Sequence, residues 1–119
     1  MIIIENEHIV MTDIDDTLLM WPKDHQKPGK GKILVVCPYS GLKTYLKPHK
    51  KHINLIKKYH GRGMVIIAWS AAGYKWAEAA IKAVKLEEYI TLVLTKPSKF
   101  MDDLKAEEIL GVRVYLEDK

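Results

Sequence analysis

The sequence has a single cysteine, Cys37, and no apolar run that approaches the roughly 18 residues needed to cross a membrane. One cysteine cannot form an internal disulfide, so we expect a reducing compartment. Residues 1–10 contain two glutamates and lack the basic start that is typical of a secretory signal peptide. We therefore expect a cytoplasmic protein with no membrane among its partners.

The chain also lacks internal repeats and low-complexity tracts, and its 119 residues fit one domain rather than two. We expect a single domain over residues 1–119 with a real core, because a chain of this length buries about two-thirds of its unfolded surface. The formal net charge of +4 favours an anionic substrate or partner but does not identify nucleic acid.

Short apolar runs alternate with amphipathic stretches along the chain. This alternation predicts βαβ units, and therefore an α/β fold with a mostly parallel central sheet. The predicted strands are residues 8–12, 33–37, 64–69, 91–95 and 112–116, and the predicted helices are residues 48–59, 74–86 and 104–110.

Polar side chains follow the apolar runs that begin at residues 8, 64, 91 and 100. In open parallel sheets, binding sites form beyond the carboxyl ends of the strands, so these side chains are candidate site residues. They are Asp13, Asp15, Ser70, Lys96, Asp102 and Asp103.

The densest cluster is the acidic segment, residues 13–18, which has three carboxylates within four positions. Carboxylates this close repel one another, and Mg²⁺ relieves such repulsion with oxygen ligands. Asp13 and Asp15 lie on one side of an extended chain, so that one can attack phosphorus while the other handles a proton. The same acids also suit a helix N-terminus, and the segment alone leaves both interpretations open.

Four segments carry a resemblance to a known family. The segment VMTDIDDTLL resembles motif I of the haloacid dehalogenase-like phosphatases, in which an apolar strand precedes DxDxT. VIIAWS resembles motif II, LVLTKP resembles motif III and KFMDDL resembles motif IV, all in the order of the family. The resemblance covers about residues 8–104 and implies a Mg²⁺-dependent phosphatase that acts through an aspartyl-phosphate intermediate.

The resemblance also implies roles for individual residues. Asp13 would be the nucleophile, and Asp15 would protonate the leaving oxygen and later activate water. Ser70 would bind a phosphoryl oxygen, and Lys96 would offset charge between nucleophile and phosphate. Thr17 would support the turn of motif I and contribute to substrate binding.

The metal ligands implied by the resemblance are Asp13, Asp15, Asp102 and Asp103. Two features depart from the pattern of the family. Asp16 stands where many members have glycine, and only five residues separate Lys96 from Asp102. Because that gap is short, Lys99 is a rival for Lys96, and Glu117 and Asp118 are rivals for motif IV.

The spacing of the motifs leaves no room for a folded cap domain. The resemblance implies a three-layer αβα, Rossmann-like domain with a small β-hairpin flap at about residues 20–40, which includes a lysine-rich loop at residues 23–32. The loop either attracts a polyanionic substrate or is simply solvated.

Capless relatives act on large substrates or use a second subunit to close the site. The substrates left open are a nucleotide, a small phosphoester and a nucleic-acid end, and a homo-oligomer is one way in which the site could be closed.

Two other functions compete with a phosphatase. A receiver-like regulatory domain would need an aspartate after the strand at residues 64–69, where this chain has Ser70. A non-catalytic phosphate-binding protein on the same scaffold would not need Asp13, Asp15 and Lys96 to be intact.

Three tryptophans and two histidines lie in or near the predicted site segments. Trp69 either lines the substrate pocket or packs in the core, and Trp76 is expected in the core. Trp21 is expected to be exposed after motif I, where it can contact substrate. His49 and His52 lie three positions apart, but no third ligand is in view, and we expect surface histidines.

Overall fold

The computed structural model describes residues 1–117, in which four strands come first and helices and strands then alternate. In chain order they are β1 Ile9–Thr12, β2 Leu19–Met20, β3 Ile33–Val36, β4 Lys43–Pro48, α1 Lys50–Gly61, β5 Val65–Ser70, α2 Tyr74–Ala83, a 3₁₀ turn Glu87–Tyr89, β6 Leu92–Thr95 and α3 Ala106–Ile109. None of the helices in residues 1–117 is long and apolar enough to span a membrane.

Three strands form a parallel sheet in the order β1-β5-β6. Val10 pairs with Ile66, and Ala68 pairs with Val93, so β5 lies between the other two strands. Parallel strands need crossover connections, which α1 and α2 supply. The predicted α/β class is confirmed, and the carboxyl ends of β1, β5 and β6 meet at one edge of this sheet.

A second, antiparallel sheet has the order β2-β4-β3. It extends the predicted flap to Pro48, which ends β4 and does not open a helix; α1 begins at Lys50. Sequence reasoning missed β4, although its alternation is visible. Thr44 and Leu46 are buried while Lys43 and Lys47 are exposed, which is the period of two expected for a strand.

One hydrophobic core joins the two sheets to α2. Its most buried members come from the acidic segment, from both sheets and from the inner face of α2, which contacts β3, β5 and β6. They include Ile14, Leu18, Leu19, Val35, Leu46, Ile66, Ala68, Trp76, Ala77 and Ala80. The acidic segment is therefore anchored by its apolar residues, which leaves its carboxylates at the edge of the core.

The expectation that His49 and His52 are surface residues is wrong. Their exposed fractions are 0% and 5%, and the rings stack with centroids 3.7 Å apart. Nδ1 of His49 accepts the backbone N–H of His52 and caps α1. Nδ1 of His52 lies 2.7 Å from the carbonyl oxygen of Thr17, to which it donates. The pair thus links α1 to the acidic segment.

The strand predicted at residues 112–116 does not form. The N–H of Leu116 donates to Nε2 of His52 at 2.8 Å, and its carbonyl accepts from Nε2 of His49 at 2.9 Å. The Tyr115 hydroxyl donates to the carbonyl of Asp16. The two histidines and Asp16 thus form hydrogen bonds with the Leu116 backbone and the Tyr115 hydroxyl. Residues 112–116 therefore lie across the histidine pair rather than in a sheet.

We expect His49→Ala to lower the free energy of unfolding by about 1–3 kcal/mol, because it leaves the His52 N–H and the Leu116 carbonyl without their partner. Urea unfolding followed by circular dichroism measures the change. The matched control is His8→Ala, since His8 is exposed and its ring has no such role. An equal loss in both variants would contradict the structural role of His49.

Candidate active site

The acidic segment folds into a tight turn around Ile14. The side chain of Ile14 is fully buried, and its carbonyl accepts the N–H groups of Thr17, Leu18 and Leu19 at 2.9–3.2 Å. Three donors on one carbonyl hold the backbone rigidly. The turn directly follows β1, so the carboxylates on either side of Ile14 stand at the carboxyl edge of the parallel sheet.

Asp16 has a backbone conformation that glycine adopts easily, which bears on the glycine that many haloacid dehalogenase-like phosphatases have at the position it resembles. Its φ is 57°, in the left-handed region that glycine adopts freely and that aspartate and asparagine tolerate best among other residues. Its N–H donates to the Leu19 carbonyl, and its carboxylate accepts the N–H of Trp21 at 3.0 Å. Asp16 therefore closes the turn and has a structural part.

Asp13 and Lys96 come together across the middle strand. Asp13 follows β1 and Lys96 follows β6, yet Lys96 Nζ lies 3.3 Å from Asp13 Oδ1. Thr17 Oγ1 lies 3.3 Å from Asp13 Oδ2 and donates to it. The Trp69 ring, on β5, lies nearby, with its centroid 6.0 Å from Lys96 Nζ. The structure thus brings four of the predicted residues to one place.

Asp15 accepts two indole hydrogen bonds on a single oxygen. Trp21 Nε1 and Trp76 Nε1 lie 2.8 and 3.0 Å from Asp15 Oδ1. Within residues 1–117 no hydrogen bond engages Oδ2, which is free to face a ligand. Trp76 is buried as expected, but sequence reasoning missed its contact with Asp15. The available signal was that a buried indole N–H needs a partner.

Ser70 is buried at the carboxyl end of β5 and lines neither of the two clefts described below. Its hydroxyl accepts the N–H of Ala72 at 3.0 Å, and its carbonyl accepts the N–H groups of Gly73 and Lys96. Ser70 therefore ties the start of the α2 connection to the end of β6. Its O–H proton is not used in these bonds and can be donated to an anion.

The two acids of the KFMDDL segment line neither of the two clefts described below. Asp102 and Asp103 are exposed, and the Asp102 carboxylate accepts the N–H of Leu104 at 2.9 Å, as in a local turn. Among residues 1–117, no three histidine, cysteine or acidic side chains come close enough together to hold a metal ion. The described arrangement therefore does not fit a complete Mg²⁺ site.

The sequence offers Lys99 as an alternative to Lys96, and Glu117 and Asp118 as alternatives to the acids of the KFMDDL segment. Lys96, and not the exposed Lys99, makes the ion pair with Asp13. Glu117 is exposed at the end of the described chain, and Asp118 lies outside the described residues.

Two clefts meet at Asp15. The larger one, about 1,030 Å³, is lined by β1, Asp13, Asp15, Trp69 and residues 109–115. The smaller one, which we call the aromatic cleft, measures about 280 Å³. Its lining is Asp15, Trp21, His25, Gln26, Cys37, Tyr39, Ser40, Leu42, Lys43, Thr44, Ala72 and Trp76.

The lysine-rich loop has an ordered centre. The Lys32 side chain is 4% exposed, and its ammonium lies 2.9 Å from Asp24 Oδ1 and also donates to the carbonyls of Asp24 and Lys27. This hydrogen bond from Lys32 lowers the pKa of Asp24 below its ordinary value. Lys32 therefore stabilises the folded conformation of the loop.

Comparison of the chain with family models, with curated proteins and with solved structures gives no match. The interpretation of the site therefore rests on its own geometry and on the motifs in the sequence.

Cys37 lines the aromatic cleft and provides a probe of it. The side-chain hydrogen bond from Ser40, with the backbone N–H groups of Ser40 and Tyr39, lowers the pKa of the Cys37 thiol. The thiolate is the nucleophile towards alkylating agents, so a lowered pKa moves the onset of labelling to lower pH.

We expect the rate of Cys37 alkylation by iodoacetamide, measured against pH, to have its midpoint below that of the unfolded chain. Ser40→Ala should raise the midpoint towards the ordinary thiol value, because the strongest donor is lost. Ser98→Ala, an exposed serine outside the cleft, is the control. Identical midpoints for the folded chain and Ser40→Ala would contradict the assigned hydrogen bond.

Proposed function

We propose that this protein is a phosphatase that hydrolyses a phosphomonoester through an aspartyl-phosphate on Asp13. The observation that carries the proposal is the contact of Asp13 with Lys96 at the carboxyl edge of the parallel sheet, 3.3 Å across β5. Asp15 stands two residues away with one carboxylate oxygen held by two indoles. A nucleophile, a cation and a proton carrier are therefore supported by neighbouring elements.

The reaction uses these groups in two steps. An Asp13 oxygen attacks phosphorus as the bond to the leaving oxygen breaks, and Asp15 gives that oxygen a proton. Asp15 then takes a proton from water, whose oxygen attacks phosphorus and frees the Asp13 carboxylate. Lys96 offsets the negative charge of the phosphoryl group, and Thr17 orients Asp13.

Ser70 and Trp69 have further roles in the proposal. Ser70 would donate its hydroxyl proton to a phosphoryl oxygen, which requires the buried side chain to meet the larger cleft. Trp69 already lines that cleft beside Asp13.

Magnesium belongs to the proposal through the resemblance alone, with Asp13, Asp15, Asp102 and Asp103 as its ligands. The described residues do not assemble three such ligands, and the two steps above use only the groups of the chain itself. The three-layer αβα arrangement, the cytoplasmic location and closure of the site by a second copy of the chain are likewise parts of the proposal.

The second candidate is a non-catalytic phosphate-binding module, of which a receiver-like domain is one form. The observation that favours it is that, among residues 1–117, no three histidine, cysteine or acidic side chains are grouped so as to hold a metal ion. Such a module would bind phosphate near Lys96 and turn nothing over.

We expect hydrolysis of p-nitrophenyl phosphate in the presence of Mg²⁺, and its loss in EDTA. Asp13→Asn should reduce kcat by at least about 10³-fold, because the amide cannot form the acyl phosphate. Release of p-nitrophenolate measures both effects.

Asp16→Asn is the matched control for this measurement. It makes the same chemical change three positions away, and asparagine tolerates the left-handed backbone, so kcat should stay within about threefold of the parent. Metal-independent activity would overturn the magnesium part of the proposal. Unchanged turnover by Asp13→Asn would overturn the nucleophile, and no turnover by the parent chain with retained phosphate binding would favour the second candidate.

The two indoles should act as positioning residues for Asp15. We expect Trp21→Phe to lower kcat/KM for an alkyl phosphate by about tenfold, because a poor leaving group needs a well-placed acid. The value for p-nitrophenyl phosphate should change much less, because that leaving group needs little protonation. Trp76→Phe should show the same contrast.

The ratio of the two kcat/KM values is the readout that separates positioning from a general loss of structure. A purely structural effect lowers both values by the same factor. Equal losses for the two substrates in Trp21→Phe would contradict the assigned contact with Asp15.

A further inference from the structure

The aromatic cleft lies where a leaving group would depart. Asp13 lines the larger cleft, and Asp15 lines both clefts. In phosphoryl transfer the attacking and leaving oxygens lie roughly in line, and the acid stands beside the leaving oxygen. The group attached to that oxygen therefore extends past Asp15 into the aromatic cleft.

The walls of the aromatic cleft are suited to a flat ring. Trp21 and Trp76 form one wall, with ring centroids 5.9 Å apart and planes tilted by 39°. Trp21 and Tyr39 both keep over a third of their surface exposed, so their rings are accessible. Asp15 is the single carboxylate and Lys43 the single ammonium in the lining, which suits an uncharged ring.

Tyr39 holds the turn between β3 and β4 over the cleft. Its hydroxyl accepts the N–H of Lys75 at 3.2 Å, at the start of α2. It lies directly against Gly73, whose φ is 109° and where a Cβ would overlap the hydroxyl. Tyr39 therefore joins the β3–β4 turn to the start of α2 beside the cleft.

His25 lines the aromatic cleft with an imidazole ring. Its ring packs edge-on against Trp21, with centroids 5.1 Å apart, and its Nδ1 is buried without a hydrogen-bond partner in residues 1–117. An unsatisfied buried nitrogen is costly, and a ligand heteroatom can relieve that cost when the ring turns. A heteroaromatic ring with ring nitrogens or carbonyls suits His25 better than a hydrocarbon ring does.

We propose that the aromatic cleft is a leaving-group subsite that binds the base of a nucleoside, and that the substrate is a nucleoside monophosphate. The inference rests on the proposed phosphatase function. The cleft volume of about 280 Å³ lies near the lower end of small-molecule sites, roughly 300–1,000 Å³, and suits one base with its sugar. Hydrolysis then releases the nucleoside and inorganic phosphate by the two steps given above.

The experiment measures nucleoside binding without turnover. The full chain carrying Asp13→Asn is titrated with adenosine or uridine, and the rate of alkylation of Cys37 in the cleft is followed. We expect a saturating nucleoside to slow alkylation by about fivefold or more, and ribose at the same concentration to leave the rate unchanged. Protection by ribose equal to that by adenosine would overturn the subsite.

Two neighbouring alanines provide a matched pair of variants. Ala72 lines the cleft and Ala71 does not, and both are exposed in the same turn. Ala72→Phe should fill the cleft and weaken adenosine binding by about tenfold or more, while Ala71→Phe should leave it unchanged. Equal effects of the two variants would contradict binding in this cleft.

His25→Ala tests recognition of the base, with His60→Ala as control, since His60 packs on Tyr89 at the same 5.1 Å centroid distance. The His25 variant should lose affinity for nucleosides and keep its helical circular dichroism signal. Unchanged affinity would overturn the assigned role of His25.

A comparison of three substrates distinguishes a free nucleotide from the end of a nucleic acid. The parent chain is compared on adenosine 5′-monophosphate, ribose 5-phosphate and a 5′-phosphorylated dinucleotide. The proposal expects the highest kcat/KM for the mononucleotide, and a higher value for the dinucleotide would overturn it in favour of a polynucleotide end. Turnover of p-nitrophenyl phosphate without nucleoside binding would reject the subsite alone, whereas nucleoside binding without any turnover would reject the phosphatase alone.

Discussion

The carboxylate of Asp15, which accepts both indole N–H groups, connects three parts of the molecule. Asp15 belongs to the acidic segment, Trp21 begins the connection into the lysine-rich loop, and Trp76 lies on α2. Removing the carboxylate would leave the buried Trp76 N–H without a partner, at a cost of about 1–3 kcal/mol. The position of Asp15 is therefore coupled to the packing of α2 against both sheets.

The core beneath this contact explains why the acidic segment can hold its charges at the sheet edge. Ile14 is fully buried between two acids, and its carbonyl accepts three N–H groups. Burial of one apolar side chain stabilises by roughly 1.5–3 kcal/mol, enough to offset part of the repulsion between the carboxylates on either side. Lys96 and Thr17 compensate the charge of Asp13 directly.

The histidine pair gives the C-terminal segment a different role from the one its sequence suggests. Residues 112–116 have the β-branched alternation of a strand, but His49 and His52 engage the backbone of Leu116. Within residues 1–117, β1 is an edge strand of the parallel sheet and lines the larger cleft, and residues 109–115 line the same cleft. The site proposed for phosphate thus lies between the sheet edge and this segment.

The local sequence pattern was enough to predict many of the secondary-structure elements. Apolar runs and turn residues predicted β1, β5, β6 and the two main helices, because such elements depend on periodicity within a few residues. The order of polar strand ends also placed Asp13 and Lys96 at one edge, because parallel strands share their direction.

Tertiary structure decided what depends on distant partners. The burial of His49 and His52, the shared oxygen of Asp15 and the end of β4 at Pro48 each follow from contacts between segments far apart in the chain. A periodic pattern carries no information about which group forms a hydrogen bond with a given imidazole or indole. The contact of Asp13 with Lys96 was therefore predictable from the sequence, and the aromatic cleft beside Asp15 was not.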